Sequence, residues 1–348
     1  MVSSGSVQRI PPVLLYGGQN DKHQNPGLTM NILYKYYSDL KLSYFDNPTL
    51  KLSQPKNLND PFESAVQLDM LRSNISLRQV LKTIPVVGKD EYTIDTIMLT
   101  QLVKEIASYG IVSLSETHRN LLMWAHYANE HRGLCIGYHT EASDALNSNS
   151  ELTNRLKLTS HKINYDSSRY DPVDDNFNIE ENKLWINKVV RKLLTTKSDE
   201  WIYEKEHRII HPIYHCDYFT SEKTLNHNDY TRDIYHVHRP TKMTTYSNGL
   251  KEYTLNKTWD GMNEYFYWLQ NNNNLNFFKR IPPTQIKSIF LGYRYPTTKK
   301  NDLLNKAHAI NSKIKDAKIY QMTLCSHEFK LKPIEIYPSN QKIKPHRK

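Results

Sequence analysis

Two glutamates and an arginine, Glu204, Glu206 and Arg208, stand at alternate positions of the stretch 201–210, whose β-prone residues predict a strand. On a strand, residues two apart point to one face, so these three line one side while Trp201, Tyr203 and His207 line the other. Successive members of the charged side lie roughly 6 to 7 Å apart. That is close enough to share a ligand and too far for Glu204 and Glu206 to share one proton directly. Arg208 beside Glu206 holds that carboxylate ionised, which suits it to a hydroxyl or a cationic centre. The competing reading is a half-exposed strand carrying a cross-strand charge ladder.

Other polar groups could join this face. The turn-rich run 54–63 contains Asn59, Asp60 and Glu63, and Pro61 keeps Asp60 out of helical geometry, leaving Asn59 or Asp60 either to cap a following helix or to face a site. The stretch 120–130 reads as a helix on which Trp124, Tyr127 and His131 share a face while His126 lies largely opposite Trp124. His126 is either a base or a core histidine. His207, His211 and His215 recur every fourth residue, but Pro212 disfavours one continuous helix and strand spacing is too loose for zinc. No metal ligand set is expected.

The elements that must position these groups follow from periodicity. Strands are predicted at 32–36, 49–53, 111–115, 133–138, 161–165, 286–292, 317–323 and 328–336. Helices are predicted at 68–84, 92–108 with Gly110 as its stop, 120–130, 182–196 and 300–314. The pattern is α+β, with a mixed, strongly bent sheet flanked by helices. A flexible arm is expected at 1–27, an acidic loop at 171–181 and a basic tail at 337–348. The polar, turn-rich stretch 219–278 reads as an inserted subdomain or lid between the two parts of the main domain, 28–218 and 279–336.

Composition narrows the function classes. The 348 residues can bury a substantial core, and Cys135, Cys216 and Cys325 are in no Cys-x-x-Cys pattern, which points to a reducing compartment and away from structural zinc. No apolar run is long enough to cross a bilayer, and the first eight residues lack the features of a secretory signal, so a cytoplasmic protein is expected. There is neither a Gly-x-Gly-x-x-Gly nor a P-loop pattern, which argues against a Rossmann dehydrogenase or an NTPase. The formal charge of +10 and the 24 tyrosines favour a polyanion or an anionic cofactor.

Five boxes together resemble a bacterial family of unknown function: 33–36 (Leu-Tyr-Lys-Tyr), 59–63 (Asn-Asp-Pro-Phe-Glu), 113–115 (Ser-x-Ser), 124–128 (Trp-x-His-Tyr-Ala) and 204–208 (Glu-x-Glu-x-Arg). The likeness spans residues 31–336 and implies an effector or accessory protein of bacterial defence or toxin loci, with a partner protein from the same locus. A more distant similarity is to ADP-ribosyltransferases, in which a first-strand basic residue, a small hydroxyl residue and a late glutamate engage NAD. That resemblance implies Lys35 at the phosphate, where His or Arg is the pattern, Ser53 or Ser115 as the second element, and Glu206 as the catalytic carboxylate. It implies a catalytic set of Glu206, Glu204 and His126 and a cofactor-binding set of Lys35, Tyr36, Asn59, Asp60, Ser115, Tyr127 and Arg208, with a nucleic acid or protein as acceptor. Two alternatives stand beside it. One is a magnesium-dependent phosphodiesterase or nuclease using Asp60, Glu63, Glu204 and Glu206, with His126 as base. The other is a binding module for nucleic acid or a partner protein, without chemistry.

Overall fold

Short apolar runs build the central strands Tyr109–Ser115, Leu134–His139, Glu206–Pro212 and Ile286–Leu291, which are buried along most of their length. The computed structural model describes residues 32–63, 100, 102–139, 160–168, 185–222, 242–254 and 275–338. All of them belong to one unit that begins at Ile32. The expected arm at 1–27, the helix at 68–84, the acidic loop at 171–181 and nearly all of the basic tail lie outside the described residues.

The strands, in chain order, are β1 (Ile32–Tyr37), β2 (Thr49–Leu52), β3 (Tyr109–Ser115), β4 (Leu134–His139), β5 (His161–Lys162), β6 (Asn164–Asp166), β7 (Thr196–Ser198), β8 (Glu206–Pro212), β9 (Tyr218–Ser221), β10 (Lys242–Thr245), β11 (Lys251–Thr254), β12 (Leu275–Arg280), β13 (Ile286–Leu291), β14 (Lys318–Leu324) and β15 (Leu331–Tyr337). The helices α1 (Leu121–Tyr127), α2 (Trp185–Thr195) and α3 (Thr297–His308) flank them. One sheet runs β15-β14-β13-β4-β1-β3-β8-β5, with β13 and β14 parallel and the other pairs antiparallel. A second runs β10-β11-β9-β12-β2 and is antiparallel throughout. The fold is therefore α+β with a mixed sheet.

Leu33, Val112, Leu114, Ile136 and Ile289 from the first sheet pack with Leu50, Leu52, Phe219, Tyr253 and Phe277 from the second in one core. The described parts of 219–278 are strands of that second sheet, and Phe219 stacks on Tyr253 at 5.0 Å and tilts against Phe277 at 5.9 Å. Phe277 is fully buried, so Phe277→Ala should cost about 3 to 5 kcal/mol of stability in urea denaturation, the sum of lost transfer energy and a cavity.

The arrangement around β1 and β3 sets the shape of the site. β1 pairs with β4 along all six residues but meets β3 at a single register pair, Tyr34 with Ser115. β3 pairs instead with β8 along its whole length, and its other end bridges to the second sheet, with Ser53 and Ile111 exchanging two backbone hydrogen bonds of 2.9 and 2.8 Å. Gly110 permits that crossing, since a Cβ there would lie 2.5 Å from the Cβ of Leu52. The predicted helix stop at Gly110 is thus corrected: helical residues end at 107, and Gly110 belongs to β3. The two strands splay apart and open a wedge.

Two further expectations are corrected. The stretch 201–210 is not one strand, because Asp199–Glu204 form a 3-10 turn capped by Ser198, Lys205 adopts a left-handed φ of 46°, and β8 starts only at Glu206. The predicted helix at 120–130 stops at Tyr127, and Asn129, Glu130 and His131 take φ of 46°, 50° and 70°. The chain doubles back there through hydrogen bonds from His131 N to Trp124 O and from Gly133 N to Ala128 O.

Candidate active site

A cavity of about 200 Å3 fills the wedge. Tyr34, Lys35 and Tyr36 of β1 form one wall, Ser113, Leu114 and Ser115 of β3 another, and Ser53 with residues 57–59 a third. Its floor is made by Glu63, Lys197, Glu204, Glu206 and Arg208, with Met123 and Tyr127 of α1 closing the side. Where β1 and β3 part, the carbonyl of Ser113 loses its strand partner, and Lys35 Nζ donates to it at 3.2 Å.

The floor is a buried ionic network. Arg208, 1 % exposed, donates from Nε and Nη2 to the two oxygens of Glu206 at 2.8 and 2.9 Å, from Nη2 to Glu63 at 2.6 Å and from Nη1 to the carbonyl of Leu194 at 2.9 Å. Lys197 Nζ sits 2.7 Å from Glu204 and 3.5 Å from both Glu63 and Glu206, with the ring of Trp201 4.4 Å away. Three carboxylates thus share two cations that are themselves out of water. Such charges persist only when each is paired and hydrogen-bonded.

Environment separates the carboxyls. Burial would raise Glu206, but Arg208, then Lys197 and Ser113, outweigh it and hold the carboxyl below its usual range. Burial wins at Glu63 and raises it despite Arg208 and Lys197. Burial would lower Lys197 and Arg208, and the carboxylates around each raise both. At Lys35 the compensation is incomplete: burial, offset only in part by Glu206 and reinforced by Lys51, lowers its ammonium to about 8. Opposed shifts of this kind within one cleft make it a candidate functional site.

Eight of the ten site residues expected from sequence line this one cavity: Lys35, Tyr36, Asn59, Ser115, Tyr127, Glu204, Glu206 and Arg208. Their hydrogen bonds sort them. Ser115 donates to the carbonyl of Glu204 at 2.7 Å and Tyr36 donates to that of Thr117 at 2.9 Å, so both hydroxyls are used in holding loops. Tyr127 donates to Glu204 Oε1 at 2.5 Å and accepts from Asn59 Nδ2 at 3.1 Å. Glu204 reaches the floor because the left-handed Lys205 turns the chain between it and Glu206, not because the two alternate on a strand.

The other two residues lie elsewhere. His126 is exposed on α1 and does not line the cavity, because about 100° of helical rotation separates it from Tyr127. Asp60 is buried, but its Oδ1 accepts from Phe62 N at 2.9 Å, and it lines a neighbouring cavity of about 220 Å3 with Phe62, Asp166 and Leu193. His207 pairs with Glu116 at 2.9 Å on the opposite face of β8, and His211 and His215 stack 6.2 Å apart in the interior. Among the described residues no cluster of His, Cys, Asp and Glu is arranged to hold a metal ion, and of the four carboxylates of the magnesium alternative Glu63, Glu204 and Glu206 turn onto Lys197 and Arg208 while Asp60 lies outside the cavity.

Lys197 and Ser113 were not singled out by sequence reasoning, and Glu63 only as a metal ligand. Nothing local marks Lys197, a lone cation in the polar run Thr195 to Ser198. The Ser-x-Ser pattern was the available signal for Ser113.

Residues 123–209 match a family model described as Protein of unknown function (DUF2971). No curated protein and no solved structure matches the chain. The DUF2971 match runs from α1 into β8 and so includes Tyr127, Lys197, Glu204, Glu206 and Arg208, while Lys35, Asn59 and Glu63 precede it. Most of the ionic floor thus falls inside the DUF2971 span, and the wall opposite it comes from upstream. No helix among the described residues is long and apolar enough to cross a membrane.

Proposed function

We propose that the wedge is the active site of an ADP-ribosyltransferase-like enzyme that takes NAD as substrate and transfers its ADP-ribose to a nucleic acid or protein acceptor. The observation that carries this reading is the split between β1 and β3, which sets Lys35 across one cavity from Glu206, with Ser113 and Ser115 on the strand between. In the ADP-ribosyltransferases that the chain resembles, a first-strand basic residue, a small hydroxyl residue and a late glutamate engage NAD, and β1, β3 and β8 carry Lys35, the two serines and Glu206 in that order. Loss of nicotinamide passes through an oxocarbenium-like state. A preorganised, ionised carboxylate stabilises the developing positive charge, and Glu206 is held in that state by Arg208. Lys35, as an ammonium, would orient the pyrophosphate.

Binding of NAD to the purified protein, followed by thermal shift and then by nicotinamide release, tests this. A ligand that prefers the folded state raises its stability by mass action. The pH dependence carries a sign: Lys35 is cationic below about 8, so NAD affinity should fall as pH rises through 8, and Lys35→Met should flatten that limb. Neither stabilisation nor nicotinamide release at any pH would sink the reading.

A further inference from the structure

We infer that Tyr127, not His126 and not Glu204 directly, carries protons between the cavity and Glu204, with Lys197 as the positioning residue that fixes the Glu204 carboxylate. Glu204 is 4 % exposed and both of its oxygens are engaged, Oε2 by Lys197 at 2.7 Å and Oε1 by the Tyr127 hydroxyl at 2.5 Å. Both residues line the cavity, but only the phenol has an oxygen not wholly committed to the ionic floor. Tyr127 lines that cavity, and its oxygen accepts from Asn59 Nδ2, another lining residue, at 3.1 Å, so the phenol can accept from a donor on the cavity side while it donates to Glu204. Burial and then the Glu204 charge raise the phenol well above the ordinary tyrosine range, so it keeps its proton until another arrives.

As a relay within the proposed transfer, and resting on that reading for its substrate, the step balances as follows. The acceptor O–H or N–H gives its proton to the Tyr127 oxygen as the Tyr127 proton passes to Glu204 Oε1. The acceptor lone pair forms the bond to the ribose carbon, and the carbon–nitrogen bond breaks with its electrons on nicotinamide, which leaves neutral. Glu204 then returns its proton to solvent through Tyr127. Lys197 aims the Glu204 carboxylate by its 2.7 Å contact to Oε2, and is itself held by Glu63, Glu206 and the Trp201 ring.

Two readouts on the full chain separate this proposal from the reading beneath it. Proton spectra should contain a far-downfield resonance from the sheltered phenol–carboxylate hydrogen bond, present in the parent and absent from both Tyr127→Phe and Glu204→Gln. In kinetics, Tyr127→Phe should keep NAD affinity, lose about 100-fold in nicotinamide release with water as acceptor, and recover with azide, an anionic nucleophile that needs no deprotonation. A merely structural tyrosine gives a loss that azide does not repair, which overturns the proposal. If the parent releases no nicotinamide, the transferase reading fails, and the resonance alone decides: its absence, or its survival in either variant, overturns the relay.

Discussion

Glu206→Gln should lower nicotinamide release from NAD by about 100- to 1000-fold while NAD affinity stays within a few fold, the pattern of an interaction made in the transition state. Glutamine preserves the shape of the side chain, so the packing between β3 and β8 is retained. The charge is what disappears. Arg208 still has Glu63 at 2.6 Å and the carbonyl of Leu194 at 2.9 Å, which keeps its guanidinium satisfied and the variant folded. Circular dichroism and urea denaturation establish the fold, and a single-turnover assay of nicotinamide release establishes the chemistry. Unchanged turnover would reduce Glu206 to a counterion of Arg208. A parallel Glu63→Gln variant gives the contrast: Glu63 touches the same guanidinium but is the carboxyl that burial raises, so its loss should affect stability more than rate.

The second large effect is on stability. Arg208→Met should cost about 3 to 5 kcal/mol at neutral pH, because it leaves Glu63 and Glu206 in the interior with Lys197, at 3.5 Å from each, as their remaining ion-pair partner. The pH dependence has a definite direction. In the parent, Glu206 lies below its unfolded value, so its contribution is present above the ordinary carboxylate range and is lost as pH falls through the folded value. Without Arg208 the Glu206 carboxyl rises above its unfolded value and Glu63, already raised, rises further, so the folded state binds protons and stability falls as pH rises. The variant should therefore be closest to the parent near pH 4 and furthest from it at neutral pH. Urea titrations at both values read the difference. Adding Glu206→Gln to Arg208→Met should recover part of the loss, since one stranded charge is then removed; a loss that is the same at both pH values would rule out the buried charges as its origin.

How far the sequence reaches can be judged from particular elements. The strands β1, β2, β3, β4 and β13 were legible because alternation and short apolar runs are local signals, and each forms within a residue or two of its expected span. The Glu206–Arg208 pair was legible for the same reason, since residues two apart on a strand share a face. Glu204 reached the site by a route the pattern does not encode: a left-handed residue at 205 has no reliable marker in Lys, and it ended the strand reading one residue before Glu206. His126 and Tyr127 are neighbours in sequence, and only the seating of α1 against β1 decided which of them faces the cavity.

What the sequence by itself determined is the inventory: an α+β chain, its charged strand face and the residue types for an ionised carboxylate beside a cation. Tertiary structure alone decided that β3 leaves β1 after one pair, which makes a cavity where a continuous sheet would have had none. It also decided that Glu63, 145 residues from Arg208, and an unmarked Lys197 complete the floor. The physical reason is range. Strand and helix periodicity is fixed by neighbours along the chain, whereas a buried charge is placed by whichever distant partner can neutralise it.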